Sequence, residues 1–395
     1  MKNGILSLKL KSLYIAEFGA LACFFPFLTY YFQYRGLSYT EIGIAFAVFS
    51  IMGVITQPIW GYITDKYLSK RTTIIIIMFI SSLTIYSFIF AKSFYHILFS
   101  IILLLSIQSS LVSVSDAYSY EIIEHHKEIQ YGKIRLMGSF AFGIVALFMG
   151  LSIKYFGMNS SFFLYSIIMF LGAMIVCSID YKDKTATQKI DLFDVRCLIK
   201  DKRFFIFMVS IVFANIGIGS NNSYVYLLIQ KTGGNVSQLG ILWFILALSE
   251  LPAFFYGTKL LKRYGELNLF IIGMVLFTIR YFLDSICTSY VYVIIIQVMQ
   301  GVTFPLFFMA SLQYLNSITP TKMKTTAMTF FGAACGLGAF IGNIGCGILL
   351  EHISIFMIYK LISLSCLICI GFVIVLKRVN KSHIIKKMLI CSDIK

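Results

Sequence analysis

Charged residues are scarce in this chain. Aspartate, glutamate, lysine and arginine make up 13% of its 395 residues, roughly half of what a soluble protein of this length carries. That scarcity excludes an ordinary water-soluble domain. The apolar residues, 59% of the chain, come in long blocks with neither period-2 alternation nor a clear helical stripe. Blocks of about 20 residues match the hydrocarbon thickness of a bilayer at about 1.5 Å rise per residue. Other absences remove other classes. No G-x-x-x-x-G-K-[ST] loop is present, which argues against ATP-driven transport by this chain. No H-E-x-x-H or paired C-x-x-C constellation is present, so no metal, cofactor or enzymatic chemistry is expected. Nine cysteines are scattered, mostly in apolar blocks, and the formal C-x-x-C of Cys366 and Cys369 lacks a second ligand pair. There is no cleavable leader pattern, because the first block is too long and runs into a second span.

What is present is the pattern of an all-α polytopic membrane protein with twelve spans. They lie near residues 12–34, 41–63, 72–91, 96–121, 134–155, 161–180, 203–230, 237–261, 267–286, 291–317, 325–350 and 354–376. The polar stretch 181–202 reads as a linker between two six-helix bundles, 1–180 and 203–376, followed by a basic tail, 377–395. Net charge is +16, but the basic residues sit in short loops. That is a topology pattern rather than a nucleic-acid surface. About 26 lysines and arginines fall on the side of the N-terminus, the linker and the tail. Opposite them stand Arg35, Lys92, Lys154 and Lys231. The asymmetry predicts both termini in the cytoplasm, and lipid as the surrounding partner. A monomer is expected.

Few ionisable residues remain inside the spans: Glu17, Asp116, Arg135, Glu250, Arg280, Asp284 and Lys360. Each costs about 2.5–3.5 kcal/mol at a helix centre by insertion scales, and such residues usually face a wet cavity and a partner. Glu17 reads as structural or functional. Arg280 and Asp284, spaced i, i+4, share a helix face where they neutralise each other. Lys360 lies near a span end, where it reaches the interface. Asp116 and Glu250 have no opposite charge at i±3 or i±4, so each needs a partner on another helix, water or a proton. Pairs Asp116–Arg135 and Glu250–Arg280 would form a central cluster of mixed sign. A carboxyl balanced between desolvation and arginine can exchange a proton. Small residues in GAACGLGAFIGNIGCG and at Gly138, Gly143 and Gly150 suit close, sliding helix contacts.

The segment QPIWGYITDKYLSKR, residues 57–71, resembles the loop after the second span of the major facilitator superfamily. Its matching positions are Gly61, Asp65, Lys66, Lys70 and Arg71. An echo, YGTKLLKRYGE, keeps Gly257, Lys262 and Arg263 without the acid. GALACFFPFLTYYF, YGKIRLMGSFAFG, SEL, FTIR and TFP follow in the order of the lactose permease and 3-phenylpropionate permease branch. The resemblance implies twelve helices, a central cavity, alternating access and proton symport of a small organic solute: a sugar, a nucleoside or an aromatic acid. It implies that Asp116, within one position, and Arg135 bind substrate. It makes Glu250 the acid linking substrate to proton, and Arg280 the arginine that assists deprotonation. It implies that Asp65 and its basic neighbours latch helix ends of the two bundles. The departures are Phe142 for a stacking tryptophan, Ala253 for an asparagine, and Gln300 and Thr303 for a histidine and the proton-carrying glutamate. Gly217, Ser220, Gln297 and Cys335 stand where the branch has buried Asp–Lys pairs. Gln300, Asn221, Asn222 and Gln297 are expected to orient a solute by hydrogen bonds, and Phe142 to stack on a ring. The alternatives are a drug or metabolite exporter on the same fold, or a lipid-linked glycan flippase.

Overall fold

The computed structural model of the chain describes residues 2–126, 128–179, 200–320 and 323–392. Among these residues twelve helical spans are found. They are α1 (Gly4–Tyr34), α2 (Tyr39–Lys66), α3 (Lys70–Phe90), α4 (Phe94–His125), α5 (Tyr131–Phe156) and α6 (Asn159–Cys177), then α7 (Lys202–Lys231), α8 (Val236–Tyr264), α9 (Glu266–Asp284), α10 (Tyr290–Ile318), α11 (Lys324–Leu350) and α12 (Ile355–Ser392). Eleven have an apolar window long enough to cross a membrane, and α8 carries the shorter apolar stretch Val236–Glu250. Each expected span matches one of these helices; eight fall inside it, and 72–91, 161–180, 267–286 and 354–376 run one to three residues past an end. The expected linker, 181–202, lies outside the described residues up to 199. The expected tail is not a separate segment from its start, because α12 continues without a break to Ser392.

Sequence chemistry sets the helix ends. Ser38 and Glu41 form a capping box that starts α2, and Asn235 and Gln238 form another that starts α8, satisfying backbone N–H groups that have no carbonyl partner. Gly157 and Gly265 follow α5 and α8 with φ of 79° and 75°, values that a side chain resists. Four spans are interrupted. α1 turns through a 3-10 segment at Phe25–Phe27, where Pro26 sits, and α3 is broken before Ser87. α4 breaks between Gln108 and Leu111, and α10 between Gln297 and Gln300. The last of these breaks lies beside Arg280 and Asp284, which bond to Gln300 and Gln297.

The first six helices pack mainly among themselves, and so do the last six. α1 lies on α5 and α6, α3 on α6 and α4, α7 on α11 and α12, and α9 on α10 and α12. The two halves join mainly through two helix pairs, α5 with α8 and α2 with α11, with smaller contacts of α1 on α7 and α8. Both crossings rest on glycine. A Cβ on Gly150 would lie 3.0 Å from the Cα of Gly240, and one on Gly347 would lie 2.7 Å from the Cα of Gly43. Nearer the middle, Gly143 meets Ala247, and Gly336 meets Val54. Of the expected sliding glycines, Gly332 and Gly345 touch nothing within 4 Å.

These contacts share one end of the molecule, the face away from both termini. There Thr29 donates to the carbonyl of Ser223, and the Glu351 carboxylate accepts 2.9 Å from the Thr40 amide at the start of α2. Toward the face that holds the termini the halves part. Cβ atoms added to Gly61, Gly132 and Gly332 would meet nothing within 4 Å. Among the described residues the ties between the two bundles gather at one face, and the cleft between them is taken as shut there and open toward the other.

Candidate functional site

In the first bundle the site is built on α1, α4 and α5. Asp116 Oδ1 accepts two phenol hydrogen bonds, 2.5 Å from Tyr14 and 2.7 Å from Tyr131. Arg135 does not pair with it. Its guanidinium instead lies 4.1 Å over the Phe18 ring, and its Nη1 has no hydrogen-bond partner. The R-x-x-G spacing explains the arrangement. Gly138, one turn after Arg135, leaves the space that Phe18 fills, since a Cβ there would come within 2.7 Å of that ring. Such a cation–π contact is worth about 0.5–2 kcal/mol. Glu17 is fully buried, and neither carboxyl oxygen has a hydrogen-bond partner. Ser115, Asp116 and Arg135 are its polar neighbours.

In the second bundle Glu250, Gln300 and Arg280 form a chain from α8 through α10 to α9. Gln300 Nε2 donates to Glu250 Oε1 at 3.4 Å, and Gln300 Oε1 accepts from Arg280 Nη1. Arg280 also donates to Thr303 and to the Tyr281 hydroxyl, each at 3.1 Å, and its cation lies over the rings of Phe277 and Tyr281. Gly301 makes the chain possible. A Cβ there would sit 2.2 Å from the Ser249 carbonyl oxygen, so only glycine lets α10 come close enough for Gln300 to reach Glu250. Pro252, two residues past Glu250, lies inside α8, and Pro305 lies inside α10. Each removes one helical N–H donor and leaves the carbonyl four residues earlier free of it.

Several expected contacts are replaced by others. No ion pair joins Asp116 to Arg135, Glu250 to Arg280, or Arg280 to Asp284 among the described residues. In the first bundle the acid is held by two tyrosines and the base by a phenyl ring, with no bridge between them; in the second an amide bridges acid and base. Gln300 and Thr303, the departures from the related permeases, are the groups that hold Arg280. An arginine needs acceptors, and here neutral oxygens serve. Asn221 and Gln297 are not free to orient a solute. They are 2% and 0% exposed and bonded to each other at 3.0 Å.

Phe142 is placed at the contact between bundles, its ring 5.9 Å from Trp243 on α8, and Trp243 in turn meets Phe25 of α1 at 6.4 Å. This aromatic cap was not expected from the sequence, although Trp243 is one of only two tryptophans. The α5–α8 register gives depth. Gly143 faces Ala247 and Gly150 faces Gly240, so Glu250 is level with residue 140. Arg135 is then about 7 Å nearer the open face at about 1.5 Å per residue.

The loop motif stands apart, at the open face. Asp65 is exposed and has no ion-pair partner among the described residues. Lys66 donates to the Tyr62 hydroxyl at 2.7 Å. Lys70 pairs with Glu121 of α4 at 2.6 Å, and Arg71 donates to the carbonyls of Val176 and Cys177 at the end of α6. All these contacts lie within the first bundle, and Gly61 touches nothing.

Known proteins share this architecture. The chain is 26% identical over 379 residues to an uncharacterized transporter, YwbF, of Bacillus subtilis, covering 94% of each. It is 26% identical over 357 residues to the maltose permease of Geobacillus stearothermophilus, covering 90% of each. The crystal structure of the nucleoside transporter NupG superposes with a TM-score of 0.83 at 16% identity, covering 94% of this chain and 98% of that one. A family model described as the MFS_1 like family matches residues 7–361. The chain, a multi-pass membrane protein with the two-bundle major facilitator fold, belongs to that family of transporters, in its lactose-permease-like branch.

Proposed function

We propose that this transporter imports a small polar organic solute across the cytoplasmic membrane together with protons, with Glu250 as the coupling acid. One observation carries the reading. Glu250 is a mid-span carboxyl at the cleft, bridged by one amide to a buried arginine, so a shift of α10 changes what faces the carboxyl. The lysine and arginine asymmetry supports cytoplasmic termini, and on that reading the conformation described here is open to the cytoplasm and closed outside. The names of the relatives point to sugars and nucleosides, and the branch adds aromatic acids. Arg280 is fully buried and held by three side chains. Arg135 is half-buried and held only over a ring. Arg135 is thus the cation available to an anionic solute, and this favours an aromatic acid within the class.

The test is the external pH of lightly buffered cells expressing the chain, on addition of sugars, nucleosides and aromatic acids in turn. Alkalinisation with one solute is expected, and Arg135→Gln should remove it by weakening binding if that solute is an acid. No alkalinisation across the panel, with the protein verified in the membrane, would exclude proton symport of these classes.

The loop motif enters as a latch that forms when the open face closes. Asp65, unpaired now, would then meet the helix ends of the second bundle, and Gly61 would admit the neighbouring backbone. Asp65→Asn is expected to slow turnover several-fold while leaving solute affinity nearly intact. Turnover equal to that of the unaltered chain would remove the latch.

A further inference from the structure

Asp284 ends α9 fully buried in the second bundle, and no lysine, arginine or histidine among the described residues pairs with it. Its Oδ2 accepts a 2.8 Å hydrogen bond from Gln297 Nε2 of α10. The same nitrogen donates at 3.0 Å to Asn221 Oδ1 of α7, which also accepts at 3.0 Å from the Tyr359 hydroxyl of α12. Four helices thus contribute one side chain each. Both N–H groups of Gln297 and the O–H of Tyr359 point at oxygens. Two acceptors are left over with no partner, Asp284 Oδ1 and Gln297 Oε1. They belong to the two groups already joined by the 2.8 Å bond.

We propose that Asp284 and Gln297 together form a proton site, in which the Asp284 carboxyl is neutral in this conformation. Its Oδ1–H donates to Gln297 Oε1 while Gln297 Nε2 donates back to Oδ2, a cyclic pair of acid and amide. A single proton satisfies both leftover acceptors. A bare carboxylate there would be a buried charge with no cation bonded to it, since Arg280, the cation that faces it, is held by Gln300 and Thr303, and such a charge is costly. A hard metal cation would take about six or more oxygen ligands, and two are left.

The surroundings supply a second state. The charged and titratable groups facing Asp284 are Arg280 and Tyr281 on its own helix, Cys287 just beyond it, and Tyr359 from α12. α7 and α10 present amides only. Arg280 lies one turn before Asp284 on the same face and is held by Gln300 and Thr303 of α10. Gln297 and Gln300 flank the break in α10. A movement at that break releases Asp284 from its amide and Arg280 from its acceptors together, and the freed pair would then form with loss of the proton. The part this plays in transport rests on the proton-symport reading above. The proton site does not.

Infrared spectroscopy of the purified full-length protein in lipid nanodiscs tests the site directly. At neutral pH a carboxylic-acid C=O band, shifted in D2O, is expected in the unaltered chain. The part of it due to Asp284 should persist in Glu250→Gln and be lost in Asp284→Asn, leaving what Glu17, the other fully buried acid, contributes; the asparagine amide can make the same two bonds and preserve the fold. Gln297→Leu should move the band to the position of a free acid, a second readout if the first variant fails to fold. An unchanged spectrum in Asp284→Asn would overturn the proposal. So would sodium, in place of choline, raising the melting temperature of the unaltered chain but not of Asp284→Asn, since sodium would then be the occupant. Failure of the symport reading would show in uptake by Glu250→Gln and would leave this band in place.

Discussion

Cells expressing Glu250→Gln are expected to equilibrate the solute but not to concentrate it. Glutamine has nearly the shape of glutamate and can still meet Gln300 across the 3.4 Å now spanned by Nε2 and Oε1. Folding and downhill exchange should therefore survive. What is lost is the group that alternates between charged and neutral, so solute movement is no longer tied to a proton. Glu250 costs about 2.5–3.5 kcal/mol as a charge near a span centre, and the substitution removes that cost. The variant should be at least as abundant in the membrane as the unaltered chain. Uptake of labelled solute under an imposed pH gradient, compared with counterflow from preloaded cells, separates the two activities. Full uphill accumulation in the variant would end the assignment, leaving Glu250 as a structural partner of Gln300.

The second large effect concerns the closed face. Gly150→Leu places a branched side chain where a Cβ already lies 3.0 Å from both the Cα of Gly240 and the Val236 carbonyl oxygen. Overpacking of this kind costs about 1–3 kcal/mol in a packed core. Here the two bundles can relieve it by separating. The variant is expected to favour the conformation open on the opposite face, to bind solute and to transport little. Trp243 reports this, because its ring is packed between Phe25 and Phe142 at the cap. In a Trp60→Phe background it is the single tryptophan. Acrylamide quenching of its fluorescence should rise several-fold in Gly150→Leu. Quenching unchanged from the parent would show that the crossing tolerates the bulk and that glycine is not needed there.

Much of this architecture was legible because bilayer length and charge sparseness act on composition directly. The twelve spans and the two halves follow from apolar block length. The isolated acids Asp116 and Glu250 stood out because no opposite charge lay one turn away. Partners were less legible. Sequence spacing suggests that Arg280 and Asp284 meet, yet the arginine turns to Gln300 and Thr303 while the acid turns to Gln297. The i, i+4 rule describes an exposed helix surface. In a buried bundle, neighbours on other helices compete for the same side chain. The role of Tyr14 and Tyr131 at Asp116 was hidden for a related reason, since tyrosine is common in spans and only the fold brings these two to one oxygen. Gly301 reads as ordinary glycine until the approach of α8 is known.

The glycine crossings also bear on energetics. Backbone resting on backbone breaks few directional bonds when it parts; beyond it, the described polar ties across the closed face include Thr29 to Ser223 and Glu351 to Thr40. A seal of this kind loses few directional bonds when it opens. When two populations are nearly balanced, a differential affinity of about 1.4 kcal/mol changes their ratio tenfold. A solute, or one proton, then needs only a small preference for one state to set the direction of flux.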